Sequence, residues 1–162
     1  MSRVHERHPY VLASGDAEHR VTYAPGEADS RLFGGNSNWR GPVWLPMNYL
    51  IVEALERYHH YYREELKVEF PTGSGRWMSL KHAAHQIEAR VGRLFLPDGS
   101  GHRPSLGPDA RWLDPYWRDL VLFHEYFHAE TGRGLGASHQ TGWTSLAARF
   151  IADKVRAREH AS

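Results

Sequence analysis

Two stretches with apolar residues at helical spacing, separated by a proline and glycine break, constrain this chain more than any other feature. From Trp44 to Tyr62 the positions Trp44, Met47, Leu50, Ile51, Ala54, Leu55 and Tyr58 recur three and four apart, after a Pro42 that is tolerated near a helix start. The run Phe70-Pro71-Thr72-Gly73-Ser74-Gly75 then interrupts the chain. Ser79 is placed to cap a second helix carrying Leu80, Ala83, Ala84, Ile87, Val91 and Leu94 on one face, ending near Leu96-Pro97-Asp98-Gly99. Two such helices in succession predict an antiparallel pair. A third amphipathic helix is predicted from Trp143 to Val155, with Leu146, Phe150 and Ile151 inward.

The remainder is less regular. Residues 97–115 hold three glycines and four prolines, so they read as a long loop, and loops of that length are commonly functional. Leu120 to Phe127 is a short apolar run that periodicity alone leaves open between a buried strand and the end of a helix begun at Tyr116; we read it as extended. Residues 1–38 read as a connector with a short hairpin in which Val11-Leu12 and Val21-Thr22-Tyr23 flank the polar turn Ser14-Gly15-Asp16.

With 162 residues, 41% hydrophobic and 24% charged, the chain has the composition of one globular segment. A net charge of +1 with interspersed signs lacks the basic stripe of a nucleic-acid partner. No apolar run approaches the roughly 20 residues of a membrane span, and the opening residues lead into no signal-type stretch. The absence of cysteine excludes thiolate metal sites and fits a reducing compartment. The expectation is a soluble cytoplasmic protein with no membrane and no nucleic-acid partner. Six Trp, eight Tyr and twelve His are an excess for this length, serving either core packing or a sugar pocket, where pyranose faces stack on indoles.

Three segments could carry chemistry. Phe33 to Trp44, reading FGGNSNWRGPVW, sets Asn38, Trp39, Arg40 and Trp44 in a polar loop just before the first helix; the two indoles serve as core anchors or as a binding surface. His124-Glu125-Tyr126-Phe127-His128 matches the zinc-peptidase pattern, which needs both histidines on one helical face. With twelve His and twelve Glu such a match arises readily by chance, and an extended reading of this segment removes the geometry. Glycines 132, 134 and 136 follow no clear strand and are a poor nucleotide cradle.

Taken in order, FGGNSNWRGPVW at 33–44, FPTGSG at 70–75, the stretch 114–127 with Thr131-Gly132 after it, and SHQTGWT at 138–144 resemble glycoside hydrolase family 63, its bacterial members and processing α-glucosidases. The resemblance implies an all-α fold, the C-terminal portion of an (α/α)6 toroid, with 39–158 supplying helices and active-site loops and a short hairpin or extended segment around 120–127. It implies inverting hydrolysis of terminal α-glucosyl bonds without metal or cofactor. Glu125 maps onto the general base, Trp39 onto a residue stacking on the sugar, and Asn38 and Arg40 onto residues orienting hydroxyls or the base. Trp44, His139, Gln140 and Trp143 complete the pocket. The general acid has no counterpart among the aspartates here, and the resemblance starts abruptly at Met1, so a fragment, truncated product or split chain is expected. The missing part of a toroid or a second copy would then be its partner, and an α-glucoside or oligosaccharide its substrate. The alternatives are a non-catalytic carbohydrate-binding remnant and, further off, a zinc peptidase.

Overall fold

The computed structural model describes residues 3–159, and their side chains apart from those of 36–38 and 153–159. The first long helix, α1 (Leu45–Tyr62), starts one residue later than the apolar period. Pro46 lies in its first turn, where the missing N–H would have had no helical acceptor. Arg63 ends it at φ 52°, with its N–H donated to the His59 carbonyl. An antiparallel hairpin of β3 (Lys67–Glu69) and β4 (Trp77–Ser79) turns the chain around. It delivers Ser79 to the N-cap of α2 (Leu80–Gly92), although the Ser79 hydroxyl meets the His82 ring at 3.1 Å and not the helix backbone. After a loop with only 3₁₀ turns, the chain pairs β5 (Tyr126–Phe127) with β6 (Gly134–Leu135), and closes with the short α3 (Thr141–Thr144) and α4 (Leu146–Glu159). Near the other end, β1 (Tyr10–Ser14) and β2 (Ala17–Val21) form a hairpin around Gly15-Asp16, with Gly15 at φ 59° as a two-residue turn favours.

This architecture corrects the expected all-α toroid portion. The chain is a mixed α and β structure of modest helices and three two-stranded antiparallel sheets. The physical reason lies in the connecting segments. Between α2 and α3 the chain is punctuated by proline and by glycines at positive φ, which stop helices from propagating. The backbone groups there pair across short ladders and turns instead.

One apolar core holds the elements together. Leu45 and Val52 of α1, Ala84 and Val91 of α2, and Ala147 and Phe150 of α4 enclose Phe95 and Phe127. Phe127 is fully buried, its ring edge-on to Phe95 at 5.2 Å between centroids. The apolar stripe read on α1 is only partly this face. Leu50, Ile51 and Tyr58 are exposed at 60%, 47% and 59%, because the helix packs α2 with the neighbouring face that contains Leu45 and Val52. Among the described residues no helix is long and apolar enough to cross a membrane.

Removing the Phe127 ring leaves a cavity at the point where the helices meet the β5–β6 hairpin. Phe127→Ala is expected to lower stability by about 3–5 kcal/mol, read as a shifted urea midpoint with an unchanged m-value.

Candidate active site

A pair of backbone hydrogen bonds assembles the site. Val43 N–H donates to the Phe127 carbonyl at 2.8 Å and Phe127 N–H returns to the Val43 carbonyl at 2.9 Å, an isolated antiparallel bridge between the loop before α1 and β5. In such pairing the next residues on each chain, Trp44 and Tyr126, face each other on one side. Their rings stack at 4.4 Å with 29° between planes. Trp143, carried by α3, stands edge-on to Trp44 at 5.9 Å, and Trp39 lies 6.0 Å from Trp44 and 5.9 Å from Trp143. Three indoles thus form a box floored by Tyr126.

Trp44 is buried, Trp143 half-buried, and Trp39 is the open member at 42% exposure. The indole N–H groups of Trp44 and Trp143 are both buried without an acceptor among the described residues. A buried donor left unpaired costs about 1–3 kcal/mol, so both are poised for water or for a ligand hydroxyl.

Glu125 sits at the bend just before β5. Its N–H donates to the Ala137 carbonyl at 2.8 Å, and its Oε2 accepts the Ala137 N–H at 3.1 Å. One carboxylate oxygen is therefore anchored, while Oε1 has no hydrogen bond among the described residues. Gly136, at φ 67°, makes this approach possible: a Cβ there would lie 2.6 Å from Glu125 Oε2 and 2.7 Å from Tyr126 Cε1. Gly134 does the same for the His124 ring. His124 itself is pushed below its ordinary value of 6.5, first by burial and then by the neighbouring charge of His139.

The sequence-derived residues divide. Trp39, Trp44 and Trp143 come together, and Glu125 is the residue next to Tyr126 in the floor. Gln140 is nearby through its backbone: its N–H donates to the Phe123 carbonyl at 2.7 Å and its carbonyl receives the N–H of Trp143 and Thr144 in α3. His139 is exposed and bridges Phe123. Arg40 is engaged elsewhere, donating to the Leu32 carbonyl at 3.4 Å beside a small cavity lined by Ala24, Asp29 and Gly41. The Asn38 side chain lies outside the described residues. The zinc-peptidase geometry does not form, since 124–128 is not helical and His128 Nδ1 accepts the N–H groups of Glu130 and Thr131 at 3.2 and 3.3 Å.

Two residues escaped sequence reasoning: Tyr126, hidden inside the apparent metal motif, and Glu27, whose Oε2 accepts the Tyr126 hydroxyl at 2.6 Å from 99 positions away. The legible signal was glycine at every second position, 132, 134 and 136, opposite an aromatic strand.

Residues 29–70, which include the tryptophan loop and α1, match the model of the glycosyl hydrolase family 63 C-terminal domain. Over these residues the chain is similar to the C-terminal domain of that family. It is 50% identical over 94% of its length to an uncharacterized protein of Saccharomyces cerevisiae. It is also 25% identical over 74% of its length to the mannosyl-oligosaccharide glucosidase of that yeast, and 28% identical over 74% to the probable mannosyl-oligosaccharide glucosidase of Schizosaccharomyces pombe. The chain spans 14% of the length of the first of these relatives and 11% of each of the others. No solved structure matches it.

The environment of His124 sets a pH dependence for this segment. With its folded value held below 6.5, the native imidazole resists the proton that the unfolded chain takes up, so His124 contributes no instability above about 6.5 and a growing one as pH falls through it. The unfolding midpoint is expected to drop between about pH 7.5 and 5.5, and less steeply in a His124→Gln variant, as thermal melts at matched ionic strength would record.

Proposed function

We propose that this segment supplies the general base and part of the sugar pocket for inverting hydrolysis of terminal α-glucosyl bonds. One observation carries the reading: a carboxylate held through a single oxygen by a backbone N–H, next to a box of three indoles that has two unpartnered N–H donors. Indole faces suit the C–H faces of a pyranose, and the spare donors suit its hydroxyls.

A general base in this reaction must be fixed in direction and free on one side to accept a proton from water. Glu125 meets both needs. The Ala137 N–H holds Oε2 and orients the group, and Oε1 is left to deprotonate the water that attacks the anomeric carbon. The attack comes from the face opposite the leaving oxygen, which a carboxylic acid protonates from about 6.5–9.5 Å away. Water's O–H bond breaks as its oxygen bonds to carbon, the glycosidic bond breaks, and the released alcohol takes the acid's proton. We place that acid in sequence beyond this segment, as the greater length of the relatives allows. The substrate class follows from the same relatives, whose names specify glucosidase action on mannosyl-oligosaccharides.

The test is glucose release from aryl α-glucosides and glucosylated oligosaccharides by the whole gene product that carries this segment. Glu125→Gln is expected to cut kcat by about 10²–10⁴-fold, and Trp39→Ala to raise KM with a smaller effect on kcat. Sugar binding that survives with no turnover by the unmodified protein would replace this reading with a non-catalytic carbohydrate-binding role.

A further inference from the structure

The stretch 24–27 is tightly held between the tryptophan loop at Gly41 and the residues that follow β5, His128 and Ala129. Gly41 adopts φ 79° and its Cα faces the Ala24 carbonyl so closely that any side chain would overlap it. The Pro25 carbonyl accepts the Ala129 N–H at 2.7 Å. Gly26 lies against the His128 ring, where a Cβ would approach Cδ2 to 2.8 Å. A segment clamped at three consecutive residues leaves the fourth, Glu27, little choice of position. Its carboxylate meets the Tyr126 hydroxyl at 2.6 Å, the short separation of a charge-assisted hydrogen bond.

Tyr126 is the junction of the site. It is buried, it floors the indole box by stacking on Trp44, and its ring edge and the Glu125 carboxylate rest against the same point at Gly136. A hydrogen bond at the far end of a phenol restrains its tilt on the indole, and Glu27 supplies one. We propose that Glu27 is a positioning residue of the site, acting through Tyr126 to hold the Trp44 wall of the sugar box in place. Glu27 does not touch the reacting atoms in this scheme. Its role rests on the hydrolase reading for its consequence in turnover, but not for its consequence in geometry.

Two measurements separate those consequences. In the whole gene product, Glu27→Ala and Tyr126→Phe are each expected to raise KM for an aryl α-glucoside about tenfold, and the double variant to raise it by less than the product of the two, since each change removes the Tyr126–Glu27 hydrogen bond. A shift in KM is informative because loss of folded protein lowers the apparent kcat and leaves KM alone. In this segment, the indole N–H resonance of Trp44, assigned by its loss in Trp44→Phe, is expected to shift in Glu27→Ala while the thermal midpoint changes by only a few degrees. An unchanged KM in Glu27→Ala, alongside a Glu125→Gln variant that is inactive, would overturn the positioning role and leave the hydrolase reading intact. Should Glu125→Gln still turn over substrate, the hydrolase reading fails and the Trp44 resonance alone decides on Glu27, a motionless resonance removing the proposal.

Discussion

The two hydrogen bonds between Val43 and Phe127 are the joint on which this molecule depends. Each contributes on its own no more than about 0.5–1.5 kcal/mol. Their importance is the register they impose. With 43 opposite 127, Trp44 must face Tyr126, while Leu45 and Phe127 enter the core. A slip of one residue would reverse the sides and send an indole into the helices. A short bridge between a loop and a two-residue strand thus sorts adjacent side chains into a structural set and a functional one.

The hairpin that follows the joint solves a packing problem common to polar sites. A carboxylate at the margin of an aromatic cluster needs a donor to hold it without a cation to neutralise it. The Ala137 N–H provides that donor, and Gly136 provides the room for the carboxylate to reach it. Placing His124 in a half-buried setting keeps a second charge from forming one residue away near neutral pH. The arrangement leaves Glu125 oriented through one carboxylate oxygen, beside the Tyr126 floor of the indole box.

Much of this was legible in the sequence, and unevenly. The helices at 45–62 and 80–92 announced themselves through apolar spacing, because helical period is a local property. The choice of buried face on α1 did not, since Leu50, Ile51 and Tyr58 make a second apolar stripe beside the one that packs. The resemblance suggested an all-helical piece of a toroid, yet residues 97–140 form turns and a two-residue ladder, as their prolines and glycines favour. That Trp39, Trp44 and Trp143 would meet was legible because indoles near polar residues are conspicuous. The direction of Arg40 was not: a long flexible cation shows no direction in sequence, and here it turns to the Leu32 carbonyl. Glu27 and Tyr126 meet across 99 positions through one hydrogen bond, a relation that no spacing rule encodes.

The sorting of neighbours at 44/45 and 126/127 also limits how such a site can diversify. Three of the four aromatic positions in and under the box, Trp44, Tyr126 and Trp143, are braced against one another and against residues that seal the core. Substituting any of them would disturb the fold with the same stroke. Trp39 stands apart, exposed at the rim of the box. Under the proposed sugar-binding role, ligand preference has one inexpensive outlet, and it is the tryptophan at the open edge.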